Sequence, residues 1–191
     1  MKKILLLLIS VALFSFNSGK AQPFEVGSNV INAGIGLGWS YSYFGSSTSL
    51  PALNFSYETG ITEIENIGIL SVGGIMGFKR TVYRYPAFPP YNDDKASWTV
   101  FFLGGKGAIH LDLFNNEALD TYGGVIMGIR SVVYNNTYYE AVGGDPYDYG
   151  GIAPLFSGFV GTRYFFTESI AIYGELGYGV SLFTLGLSMK F

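Results

Sequence analysis

Hydrophobic and polar residues alternate with a period of two along most of this chain. In residues 182–191, Phe183, Leu185, Leu187, Met189 and Phe191 occupy one parity, with Thr184, Gly186, Ser188 and Lys190 on the other. Successive strand side chains point to opposite faces, so the segment is a strand with one oily and one small or polar face. The same alternation recurs over 29–40, 51–61, 67–83, 97–111, 118–133, 155–165 and 169–178. No window sustains a 3.6-residue apolar period with a cap and a stop. The pattern therefore predicts eight strands in an all-β fold.

The connections alternate in length. Those at 62–66, 112–117 and 166–168 are short and polar, whereas 41–50, 84–96 and 134–154 are long. A tight turn at 179–181 joins the last two strands. An even strand number with alternating short turns and long loops predicts a transmembrane, antiparallel up-and-down barrel. Both termini then lie at the short-turn end. No shift in composition suggests a second domain.

The first residues read differently. Lys2 and Lys3 precede an apolar run from Ile4 to Phe16, and Gly19 and Ala21 are small residues placed for a cut after Ala21. This is the pattern of a secretory signal peptide over 1–21, with the barrel domain at 22–191; the apolar run is too short for a spanning helix. Removing 21 of the 191 residues leaves 170, and takes away Lys2, Lys3 and Lys20. Eight basic side chains then face 14 acidic ones, a net charge of −6, which argues against nucleic-acid binding. Cysteine is absent, so no disulfide is available. The 15 Tyr, 16 Phe and 27 Gly suit strands at a membrane interface.

Strand parity places Glu58, Lys79, Lys106, His110, Asp120, Arg130, Arg163, Glu175 and Lys190 on the inward face. An eight-stranded barrel has an interior that side chains can nearly fill. Charges cut off from water are costly unless paired. The expectation is a network of acids and bases that fills the lumen, with inward glycines such as Gly34, Gly36 and Gly38 leaving room for long neighbours. The alternative is a narrow, porin-like conducting path lined by the same charges. A soluble, lipocalin-like barrel that binds a ligand in its lumen is a further alternative, against which the apolar outer face argues.

Catalysis finds little support. His110 is the only histidine, it falls beside the short turn at Asp112, and no serine or acid partner is fixed by sequence. One histidine and no cysteine make a zinc site improbable, and Gly34-Ile35-Gly36-Leu37-Gly38 lacks the strand-to-helix context of a dinucleotide site. Asp93, Asp94, Glu140, Asp145 and Asp148 fit no calcium-loop spacing and read as solvated acids. No enzyme activity, cofactor or metal is expected. The long loops are rich in Tyr85, Phe88 and Tyr91, then Tyr138, Tyr139, Tyr147 and Tyr149. Tyrosine gives contact area at small entropic cost, so these are candidate contacts for a surface partner.

Three segments carry a family resemblance: Val160-Gly161-Thr162-Arg163-Tyr164-Phe165-Phe166-Thr167, Tyr173-Gly174-Glu175-Leu176-Gly177-Tyr178-Gly179 and Leu185-Gly186-Leu187-Ser188-Met189-Lys190-Phe191. Together with Leu119-Asp120-Thr121-Tyr122-Gly123-Gly124-Val125, they resemble the outer membrane protein beta-barrel domain family. These are small eight-stranded barrels of Gram-negative bacteria, abundant in Bacteroidetes. The resemblance implies an integral protein of the cell outer membrane; the expected partners are outer-membrane lipid and lipopolysaccharide, and a monomer is expected. It also implies that the last strand, with Phe183, Leu185, Leu187, Met189 and the terminal Phe191, is the signal read by the barrel-assembly machinery. It implies no single activity.

Overall fold

The computed structural model describes residues 24–38, 47–84, 95–137, 150–179 and 181–191. The stretch read as a signal peptide and the loop residues Tyr85, Phe88, Tyr91, Tyr138, Tyr139, Tyr147 and Tyr149 lie outside them. So do the loop acids Asp93, Asp94, Glu140, Asp145 and Asp148.

Nine strands are found among the described residues: β1 (Asn29–Leu37), β2 (Ser47–Ser49), β3 (Ala52–Ile64), β4 (Gly68–Arg84), β5 (Lys95–Leu111), β6 (Leu119–Asn136), β7 (Gly151–Phe165), β8 (Ile170–Gly177) and β9 (Phe183–Lys190). Each stave of the barrel pairs antiparallel with its chain neighbours, and β1 pairs with both β3 and β9. Because the β4–β5 ladder is also formed, the sheet closes into a ring. The short β2 pairs only with β4, beyond the end of the β3–β4 ladder. It is the outer end of the β3 stave, separated from it by Leu50-Pro51, where proline has no N–H to give. The barrel therefore has eight staves, as the alternation predicts. Closure pairs every strand edge, which only a helix or a closed barrel achieves in lipid.

Several boundaries differ from the sequence expectation. Residues 62–64 continue β3, so the first short turn lies at 65–67. Asn66 adopts the left-handed conformation there, with φ of 61°. The β4, β5 and β6 strands run 17, 17 and 18 residues. They extend to Arg84, Lys95 and Asn136, so Tyr134 belongs to a strand rather than to the third long loop. Main-chain pairing continues there past the apolar belt, where hydropathy no longer marks it.

The outside of the barrel is apolar on every stave. Ile35, Phe55, Met76, Leu103, Met127, Val160, Leu176 and Leu187, one per stave, are each between 50% and 60% exposed. Their neighbours in sequence face inward, where Asn32, Asn54, Ser56, Ser71, Thr184 and Ser188 are buried. Polarity is thus inverted relative to a soluble barrel: the wet-type side chains are inside and the oily ones outside.

Candidate functional site: the barrel lumen

The inward parity of the strands fixes what meets in the lumen. Glu58 on β3, His110 on β5, Asp120 on β6 and Arg163 on β7 converge near the short-turn end, each at most 4% exposed. Arg163 Nη1 donates to Asp120 Oδ2 at 2.8 Å, and Nη2 donates to Glu58 Oε1. The other Asp120 oxygen takes the His110 Nδ1 proton at 2.8 Å. His110 Nε2 is 2.9 Å from Ser71 Oγ and 3.8 Å from Glu58 Oε2. On the far side, Asn32 Nδ2 donates to Ser56 Oγ at 2.9 Å and to Glu58 Oε1 at 3.3 Å. Ser188 Oγ closes the chain by donating to Asn32 Oδ1 at 2.6 Å. One hydrogen-bonded series thus ties β4, β5, β6, β7, β3, β1 and β9 together across the lumen.

A second ion pair lies higher in the lumen. Lys106 Nζ stands 2.5 Å from Glu175 Oε1, which also accepts the Tyr122 hydroxyl at 3.0 Å. The Tyr122 ring joins the two clusters: the Arg163 guanidinium lies 4.5 Å from its centroid and the Lys106 ammonium 5.4 Å. Such a ring face attracts both cations and fills space between them. Gly161 makes this possible, because a Cβ there would stand 2.8 Å from both the Tyr122 ring and the Glu175 side chain. Gly34 does the same for Tyr173, whose hydroxyl donates to Asn54 Oδ1 at 3.2 Å. Toward the long-loop end the lumen turns apolar, with Ile75, Phe102, Ile126, Leu155 and Phe159 in one buried cluster.

Three further charges lie on the inward face. Lys79 donates to the Gly38 carbonyl at 2.8 Å near the long-loop end. Arg130 faces inward on β6, half-buried. Lys190 holds its ammonium 5.1 Å above the Phe165 ring. On β9, Phe183, Leu185, Leu187 and Met189 all face outward and are 38% to 59% exposed; the terminal Phe191 is 64% exposed.

Sequence reasoning missed the closure of the short-turn end. Phe24, only 3% exposed, stacks on the His110 ring with centroids 3.8 Å apart and planes at 12°. Its segment is folded back by Ser28 N to Glu25 O at 3.0 Å and by Gly27 N to Gly60 O at 2.9 Å. Gly27 has φ of 87°. Gly60 has no alternative, since a Cβ would collide with the Glu25 carbonyl. A shallow cavity of about 230 Å³ remains beside Phe24, walled by Glu25, Glu63, His110, Asp112 and Asp120.

The order Ser71, His110, Asp120 is that of a serine-hydrolase array, which no local motif signals. Its surroundings do not suit that chemistry. Ser71 is 1% exposed, Phe24 covers the imidazole, and Arg163 holds the second Asp120 oxygen. Among the described residues no group of histidine, aspartate and glutamate could hold a metal ion.

No protein-family model matches the chain, and no curated protein matches it in sequence. Among solved structures, the attachment invasion locus protein Ail of Yersinia pestis, in complex with the heparin analogue sucrose octasulfate, aligns at 13% identity and a TM-score of 0.48. The alignment covers 87% of this chain and 100% of that one. The N-terminal β-barrel domain of Pseudomonas aeruginosa OprF aligns at 13% identity and a TM-score of 0.43, covering 87% of this chain and 98% of the other. Both scores lie below 0.5, so the eight-stave architecture rests on this chain's own strand order and register.

Proposed function

We propose that this chain is an integral protein of the bacterial outer membrane, exported by a cleaved signal peptide, with a side-chain-filled lumen. Its role is structural or surface-interacting, exerted through the long aromatic loops rather than through transport or catalysis. One observation carries the reading: a belt of exposed apolar side chains surrounds a lumen crossed by buried ion pairs. Contiguous apolar surface on this scale is not left in water by soluble proteins. The alternation of short turns and long connections supports this reading, with the short-turn end toward the periplasm. Packing supports a sealed lumen over a conducting one, because Phe24, Arg163, Tyr122 and Phe159 succeed one another along its length. The carboxy-terminal strand supports recognition by the barrel-assembly machinery, since its oily face is fully presented on the outside.

The test is fractionation of expressing cells, with heat-modifiable gel migration of the membrane pool. The protein is expected in the outer-membrane fraction, migrating as a compact barrel until boiled. Recovery in the soluble periplasm would overturn the reading and favour the lipocalin-like alternative.

A further inference from the structure

The eight cations of residues 22–191 are divided with an unusual economy. Lys79, Lys106, Arg130, Arg163 and Lys190 sit on the inward parity, and only Arg80, Arg84 and Lys95 sit on the outward one. These three are exposed and lie together at the long-loop end of the β4–β5 hairpin. Arg84 and Lys95 are direct cross-strand partners, and Arg80 faces Thr99. Like charges placed directly opposite repel, and no ion pair with an acid is found for any of the three among the described residues.

Their height follows from the strand register. Phe78 and Phe101 are partners on the same outward face, with ring centroids 6.2 Å apart. Aromatic rings of this kind mark the edge of the apolar belt. Arg80 is two residues further along β4, about 7 Å, and Arg84 roughly 13 Å beyond it. The first cation thus stands in the interfacial layer and the Arg84–Lys95 pair further out. Among the described residues the exposed acids Glu25, Glu63, Glu65, Asp112, Glu117 and Glu168 lie at the opposite end of the barrel, while the acids of the long loops, Asp93 and Asp94 among them, lie outside the described residues.

Resting on the outer-membrane reading above, we propose that Arg80, Arg84 and Lys95 form a docking site for the phosphate groups of an outer-leaflet glycolipid. Guanidinium groups match phosphate oxygens in a two-pronged fork, and lysine adds a point charge. Cations staggered along the strand suit a headgroup that bears phosphates at more than one depth. A thin phospholipid headgroup would reach Arg80 and leave the outer pair unanswered.

The experiment uses the refolded protein in phosphatidylcholine nanodiscs doped with a bis-phosphorylated lipid A, the same lipid A dephosphorylated, or phosphatidylglycerol. Lipid retained on the protein after detergent extraction is read by native mass spectrometry. Wild type should retain the phosphorylated glycolipid selectively. The triple variant Arg80→Gln, Arg84→Gln, Lys95→Gln should bind it roughly a hundredfold more weakly, at about a factor of five per cation. The single Arg84→Gln serves if the triple variant does not refold. Equal retention by a folded variant would overturn the site, as would equal retention of the dephosphorylated lipid or of phosphatidylglycerol. Displacement by inorganic phosphate alone would make it a small-anion site and overturn the glycolipid assignment. Failure of wild type to enter the nanodisc would instead remove the membrane reading, and this site with it.

Discussion

Glu58 and Arg163 are 105 positions apart in sequence and hydrogen-bonded to each other across the barrel, both fully buried. Their strands, β3 and β7, are diametrically opposite staves in the ring order. The pair is therefore a strut across the lumen, and Arg163 braces Asp120 on β6 at the same time. Removing a buried cation that serves two carboxylates leaves both uncompensated. Arg163→Met is expected to cost about 3–5 kcal/mol of unfolding free energy, measured by urea titration in lipid. Lys106→Met should cost less, because Glu175 is 11% exposed at its side chain and keeps the Tyr122 hydroxyl. Equal losses for the two would mean that the clusters are not graded by burial as described.

Phe24 closes the short-turn end by stacking on His110. Phe24→Ala should destabilise the barrel by about 3 kcal/mol, the low end for deleting a buried phenylalanine. Thermal unfolding followed by heat-modifiable migration reads this directly. A change within experimental error would show that the segment is dispensable.

Gly60 and Phe24 act through one contact, since any side chain at Gly60 collides with the Glu25 carbonyl beside Phe24. Gly60→Ala should expel the same segment, so its effect and that of Phe24→Ala should fall well short of additive in the double variant. Additivity within about 0.5 kcal/mol would show the two sites to be independent.

Phe191 donates its backbone N–H to Asn29 O at 3.0 Å, but its ring is 64% exposed. It contributes little to packing, so its value should lie in assembly. Deletion of Phe191 should leave refolding in detergent nearly unchanged while lowering outer-membrane levels in cells sharply. Immunoblots of membrane fractions at wild-type strength would refute the assembly role.

Much of this was legible in the sequence, for a reason visible in β9. With a period of two, one correctly placed residue such as Lys190 fixes the facing of its whole strand. That is why parity places Glu58, His110, Asp120 and Arg163 on the inward face together. What parity does not encode is which inward residues touch, because contact depends on stagger around the ring. Ser71, Asn32 and Ser188 complete the network as uncharged partners, and nothing in their local pattern distinguished them from other inward polar residues. Phe24 was missed because it precedes the first alternating segment. Its only sequence trace is an apolar residue ahead of Glu25-Val26-Gly27-Ser28, a turn motif with glycine at its positive-φ position.

Conductance of the refolded protein in a planar bilayer tests the sealed lumen most directly. Protein verified as folded by heat-modifiable migration should insert and stay electrically silent, because Phe24, the Arg163 struts and the Ile75–Phe159 cluster block the lumen in series. A steady, reproducible open state would contradict the account and make the lumen charges determinants of ion selectivity.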